Sequence, residues 1–448
     1  MSSPWTHIRG VHRTLWIASA ALVFPAVAQA TSPVAQTEVE TMDALAFENN
    51  QSIHAFDDRA RQAREQARFE ESRWPQPMVE YMLDFSAPWT SHFTTGHMVR
   101  VMQRIPRGDA RKAQAAPARA GEQVARSRQN EAKTELLRDL RLDVVTLARL
   151  EARIELLEEE RDLIDDAIGV LEAVAPLGRG EHGDFFQLEL ARETVLDNMA
   201  TLRTRRSARR AAMAARMGVE TDFIEELTFP AGVLDDWLIE LPSDDELVEM
   251  ARESEPGLAS LEAEATVADA RIDLVDQRLR PAPSIMAGYS NMPPMWEMDG
   301  PRNQMFQLGI SIELPIFGSQ YDAEASQWQA ARQAVERDRL QERDEVRGRV
   351  EELLAGWHSD RERLGRHERE LAPLAADLAR QVLIGMELGE RSASEYLLAV
   401  RQEVELEGRM IDLRADLLER LMELQRLTGG RIGVGQAWAY PATNGGEL

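Results

Sequence analysis

Cysteine is absent from the 448 residues, which excludes disulfides, thiolate metal sites, cysteine nucleophiles and a lipid-modified N-terminal cysteine. Long apolar runs are missing too: past residue 30 no window approaches ~18 consecutive apolar residues, so no membrane-crossing helix is expected. No H-E-x-x-H, G-x-S-x-G, P-loop or clustered His/Asp/Glu pattern occurs, which argues against an enzyme and against a chain that drives transport itself. Basic side chains are the minority, 52 against 77 acidic ones, for a formal charge of −25. Phosphates would be repelled, so no nucleic-acid partner is expected. A cation-friendly or simply a soluble surface fits the acidity.

What is present begins with an address. Arg9 and Arg13 precede an apolar run from Leu15 to Val27, which ends at Ala28-Gln29-Ala30. Residues 1–30 read as a secretory signal peptide, and the mature chain is exported.

The exported part is written twice. RWPQPMVEYMLDF at 73–85 and MVRVMQRIPRGDARKAQ at 98–114 answer RLRPAPSIMAGYSN at 278–291 and NQMFQLGISIELPIFGSQYDA at 303–323. Thr41–Phe56 likewise answers Asp245–Leu261, and LGRGEHGDFFQLELAR from Leu177 answers LGERSASEYLLAVRQ from Leu388. Two repeats follow, 31–230 and 231–430, with a tail at 431–448. Each reads as helix, strand, strand, very long helix, short break, helix.

Strands are expected at about 77–86, 97–105, 283–291 and 304–314, because apolar residues alternate there with small or polar ones. The clearest case sets Phe306, Leu308, Ile310, Ile312 and Leu314 against Gln307, Gly309, Ser311 and Glu313. The long helices carry a coiled-coil seam. Leu147, Leu150, Ile154, Leu157, Ile164, Ile168 and Leu171 alternate steps of three and four, with Arg161 as one lapse, and Val350, Trp357, Leu364, Leu371 and Leu378 step by seven. At ~1.5 Å per residue, the helix from about Gln320 to Glu387 spans roughly 100 Å. Pro117 and Pro373 predict kinks or ends within these helices.

Each strand matches the ~9 to 11 residues that cross a bilayer at a tilt. Trp74, Tyr81, Trp89, Phe93, Tyr289 and Trp296 lie near strand ends, as aromatic girdles do. A soluble sandwich would alternate in the same way, but only four strands accompany this much helix, and no second sheet is left to pack on. A lipid-facing sheet must close. Single-chain barrels use at least ~8 strands, so four per chain require two or more chains.

In this arrangement the sequence resembles the TolC family of outer-membrane efflux channels, including the heavy-metal branch typified by CusC and CzcC. The duplicated plan, RPAP leading into a strand, GISIELPIFG leading into a long helix and the LGERSASEYLLAVRQ tip carry the resemblance over essentially the whole mature chain. It implies a mainly α fold with a transmembrane β-barrel: a homotrimer sharing a twelve-stranded barrel that continues as an α-helical tunnel into the periplasm. It also implies outer-membrane lipid, a periplasmic adaptor (membrane fusion protein) and an inner-membrane pump of RND type or another transporter as partners, with no cofactor. Carried over to the tip, Arg391 falls where the family can have a bridging arginine and Glu395 where an aperture carboxylate can sit. Asp184 is the nearest acidic candidate in the first repeat. Where TolC carries a second carboxylate, this chain has Leu398.

Gly178, Gly180, Gly183 and Gly389 are expected to let the chain reverse at the tips, which are also candidate adaptor contacts. Gly178 to Gly183 matches G-x-G-x-x-G, but a helix and not a strand precedes it, so a dinucleotide site is rejected. Methionines crowd the strand region, and Met292, Met295 and Met298 in NMPPMWEMDG are candidate thioether ligands for a soft ion such as Cu(I). Gap-filling on apolar surfaces is the competing explanation. His92 and His97 are possible additions to such a path.

The function expected is a passive exit duct, with heavy-metal efflux (Cu/Ag or Co/Zn/Cd) or type I secretion as narrower alternatives. A periplasmic adaptor is the alternative outside channels, and would show one helical hairpin rather than two.

Overall fold

The computed structural model describes residues 33–85, 95–174, 182–292, 303–315 and 318–432. The signal-peptide segment, the tail beyond 432, Gly178, Gly180, Trp89, His92, Phe93, Met295, Trp296 and Met298 lie outside these residues. In chain order the elements are α1 (Pro33–Asn49), α2 (Gln51–Ser72), β1 (Met78–Phe85), β2 (Thr95–Arg104), α3 (Ala110–Val174) and α4 (His182–Met217). The short α5 (Thr221–Glu225) and α6 (Val233–Asp236) follow. The order then recurs as α7 (Asp244–Ser254), α8 (Pro256–Arg278), β3 (Ala282–Met292), β4 (Asn303–Glu313), α9 (Ser319–Arg366), α10 (Ala372–Glu387) and α11 (Ala393–Leu427).

Local chemistry sets the breaks between paired helices. Asn50 ends α1 and caps α2, its side chain accepting from the backbone N–H groups of Ser52 and Ile53. Glu255 does the same for α8, accepting from the Leu258 N–H at 2.9 Å, with Pro256 in the first turn where its missing N–H costs nothing. The same carboxylate meets Arg426 of α11 at 3.4 Å, and Arg426 also holds Glu423 at 2.8 Å. The start of one long helix is thereby tied to the end of another.

The main core gathers where α3, α9 and α11 pass the linking segment α5–α7. Leu140, Val145, Met217, Ile224, Val350 and Leu421 are buried there in one cluster. A second cluster near the far ends joins both hairpins: Ile164 and Leu171 of α3, Leu188 of α4, Met386 of α10, Tyr396 and Val400 of α11. Leu147, Ile154, Ile164 and Leu171 of the expected seam are buried, and Arg161 at its lapse pairs with Asp162 at 2.6 Å.

The second seam needs correction. A helical run was expected from about Gln320 to Glu387, with a kink or end at Pro373. A π-helical turn, His367–Leu371, does separate α9 from α10 there, and Pro373 lies in the first turn of α10. Pro373 cannot donate to the carbonyl four residues back, and the wider turn absorbs that loss by inserting one residue. The heptad phase therefore moves by one. Val350, Trp357 and Leu364 are buried as expected, but Leu378 is 43% exposed, while Ala379 and Met386, one position on, take the core places. Pro117 does not end α3, which runs through it.

The four strands form one antiparallel sheet in the order β1-β2-β3-β4, within two residues of the expected limits. Register fixes its faces. Across the strands Tyr81, Val99, Tyr289 and Phe306 stand in one row, and Leu83 opposes His97. One face carries these with Val79, Val101, Ile285, Leu308, Ile310 and Ile312. The other carries Glu80, Arg100, Gly288, Gln307 and Ser311 with all the methionines of the described strands. Among the described residues β1 and β4 have no partner on their outer edges.

Candidate functional site

Two regions have side chains arranged for work: the α10–α11 tip and the sheet. At the tip, α10 ends on Gly389 at φ 74°, where the left-handed conformation is needed. Its N–H donates to the Met386 carbonyl at 3.0 Å, and the next N–H, of Glu390, reaches the Gly385 carbonyl at 2.8 Å. A β-carbon at Gly389 is therefore costly. Gly389→Val is expected to destabilise the tip by about 1–2 kcal/mol, read as a lower melting temperature of the helical circular-dichroism signal.

Gly385 has a different purpose. A β-carbon there would come within 2.6 Å of Arg391 Cγ, so its bareness lets the arginine stem lie back across α10. From that position Arg391 Nη1 donates to Glu395 Oε1 at 2.9 Å. Glu395 is the third residue of a capping box: Ser392 Oγ accepts from its N–H at 3.3 Å, and its Oε2 accepts from the Ser392 N–H at 3.0 Å. The Ser392 backbone donor, then Arg391, hold the Glu395 carboxyl below the usual glutamate range. Arg391 and Glu395 are thus brought together, but within a single helix start.

Asp184 occupies the matching place in the first turn of α4. Both returning helices therefore carry a carboxylate at their positive ends. Gly183 is corrected: it is already helical in α4, has an ordinary φ and open space around it, and does not turn the chain. Two residues were missed. Ser392 was legible from its S-x-x-E spacing to Glu395. Tyr396, 1% exposed, sends its hydroxyl toward the Leu163 carbonyl at 3.4 Å, locking α11 onto α3, and burial pushes that hydroxyl up to about 12. Nothing local in the sequence marks that partner.

In the sheet, the apolar face is open to its surroundings. Phe306 is 82% exposed, Leu308 86% and Ile310 74%. Tyr289 tilts against Phe306 at 5.1 Å, and Tyr81 Oη meets His97 Nδ1 at 2.7 Å, which makes an aromatic band three to four residues in from the hairpin ends. Trp74, exposed below the Arg111 guanidinium, marks the helical end. Between them β4 runs from Phe306 to Glu313, roughly 24 Å along the strand at ~3.4 Å per residue. Of the methionine trio, Met292 ends β3 on the polar face, the side that carries Met286. No group of three or more His, Asp or Glu poised for a metal occurs among the described residues.

Residues 247–430 match the family described as outer membrane efflux protein. No curated protein matches by sequence. By structure the chain is similar to CusC, whose crystal structures concern folding and transmembrane channel formation (17% identity, 88% of this chain and 92% of that one, TM-score 0.70). It is also similar to the outer membrane protein VceC of Vibrio cholerae (13%, 88% and 96%, 0.68). The open-state MtrE outer membrane channel of Neisseria gonorrhoeae is a third (16%, 88% and 89%, 0.61). At these identities the likeness is one of fold, over 88% of this chain.

Proposed function

We propose, from the match of residues 247–430 to the outer membrane efflux protein family and from the channel fold that the chain shares over most of its length, that three copies form the exit duct of a tripartite efflux system. The supporting observation is a four-stranded sheet whose two edges are unpaired among the described residues and whose apolar face is open. An edge left unpaired in lipid costs several kcal/mol per group, so β4 of one copy must meet β1 of the next. Three copies give twelve strands. The long helices, ~100 Å for the 65 residues of α3 and roughly 70 Å for the 48 of α9, continue the wall into the periplasm. There the α10–α11 and α3–α4 tips face a periplasmic adaptor and an inner-membrane pump, which supplies the energy. A single adaptor-like hairpin does not describe this chain, which has two.

In detergent, cross-linking and native mass spectrometry are expected to give a trimer that conducts in planar bilayers. A monomer stable in plain buffer would overturn the duct.

Three Glu395 carboxylates around the inner aperture would draw cations in and turn anions away. Glutamine keeps the capping box and removes the charge. Glu395→Gln is expected to raise the concentration of a trivalent cation giving half block by about tenfold. Because the carboxyl is held low, the wild-type block persists into acid and fades only as pH falls through that depressed value. Equal block in both proteins, measured as single-channel current, would remove Glu395 from the aperture.

A further inference from the structure

Every methionine of the described strands lies on the polar face of the sheet. Met78, Met102 and Met286 stand opposite one another on β1, β2 and β3, and Met286 faces Gly309 on β4. Toward the hairpin ends a second row reads Met82, Met98, Ser290, Met305. Between the rows lies Glu80, Arg100, Gly288, Gln307, with Arg100 and Glu80 paired at 3.3 Å.

Gap-filling does not account for this placement. Methionine fills irregular space in packed cores, but Met78 is 62% exposed, Met82 45% and Met305 53%, with charged and amide neighbours. The lipid-facing positions beside them use Val, Leu, Ile and Phe instead. On a water-facing surface the thioether offers something those residues lack, a soft lone pair. Two of these sulfurs already accept hydrogen bonds: Met98 Sδ from Arg100 Nη2 at 3.6 Å and Met305 Sδ from Gln307 Nε2 at 3.5 Å. Directly opposed side chains start from β-carbons only ~4.5–5.5 Å apart, so neighbouring thioethers can close on one ion. Gly309 keeps room for the end of Met286, since a β-carbon there would lie 2.5 Å from its Cε.

Resting on the closed-barrel reading above, which makes this face the lumen, we propose that the barrel wall binds soft monovalent metal ions, Cu(I) or Ag(I). Met78, Met102 and Met286 form the ring nearer the helices, and Met82, Met98 and Met305 form the outer one. Several weak sites in series let an ion enter and leave, as conduction requires. The rows are ~13 Å apart, four residues along a strand.

Silver nitrate in chloride-free buffer tests this on the purified, detergent-solubilised full protein. Silver retained after desalting is measured by mass spectrometry, and conductance is measured on the same preparations. Wild type is expected to retain silver at micromolar free ion. The triple variant Met78→Leu, Met102→Leu, Met286→Leu is expected to bind about tenfold more weakly while conducting normally. If the triple variant does not assemble, Gly309→Ala, which displaces Met286, is expected to weaken retention severalfold. No retention by wild type, or equal retention by the assembled variants, overturns the proposal. Failure of wild type to conduct would count against the duct and leave the silver result to stand or fall alone.

Discussion

Leu308→Arg is expected to prevent assembly, while Gln307→Arg, one residue away, is expected to leave a trimer with altered conductance. Leu308 is 86% exposed on the apolar face, opposite Ala287 and two residues from the Tyr81 row on its helical side. If this face meets lipid as proposed, a charged guanidinium there costs up to about 2–4 kcal/mol per chain toward mid-bilayer, and a trimer would carry it three times. Gln307 lies in the row of Glu80 and Arg100 on the other face, the lumen of the proposed duct, where an arginine would stay hydrated and add positive charge. Heat-modifiable trimers on gels and outer-membrane fractionation read the first effect, and anion preference in bilayers reads the second. Equal loss in both variants would mean that the two faces do not divide lipid from water.

Why this contrast was readable in advance is a matter of period. Alternation is local, and Phe306 to Leu314 shows it without help from any distant residue, so strand limits come out within two residues. The same period already put Met78 with Met82 and Met98 with Met102 on common faces. Which strands lie side by side, and hence which methionines meet, needed the register.

Helical phase was less secure because it is cumulative. Counting sevens from Val350 holds as far as Leu364 and then fails, since the π turn ahead of Pro373 adds a residue that the count does not contain. Ala379, an inconspicuous residue, is buried where Leu378 was expected. At the tip, the family resemblance offered Arg391 as a bridging arginine and Glu395 as an aperture carboxylate, and did not pair the two. Their i,i+4 spacing and the serine three residues before Glu395 make the pair local, a contact that sequence spacing alone describes completely.

What could not be read was the buried ionic chemistry of the helical body. Asp143 is fully buried on α3 and faces Arg209 at 2.6 Å and Arg216, both on α4. Burial is the largest influence on its carboxyl and pushes it above the usual aspartate range, although both guanidiniums pull it down. A raised value means the folded chain takes up a proton more readily than the unfolded one. Its contribution to stability therefore rises as pH falls through the raised value toward the ordinary one, and declines in the other direction. Arg216→Met removes the stronger of the two partners and leaves the ionised carboxylate with Arg209 alone. A buried pair broken in this way costs about 3–5 kcal/mol at neutral pH. The deficit is expected to shrink in mild acid, because protonated Asp143 no longer needs the cation. Adding Asp143→Leu to Arg216→Met is expected to recover much of the loss, since an apolar residue of similar bulk requires no counter-charge. Apparent melting temperatures of wild type, single and double variants, followed by circular dichroism at neutral and mildly acidic pH, test all three expectations. A deficit that does not change with pH would show that Arg216 acts through its packing and not through the charge of Asp143.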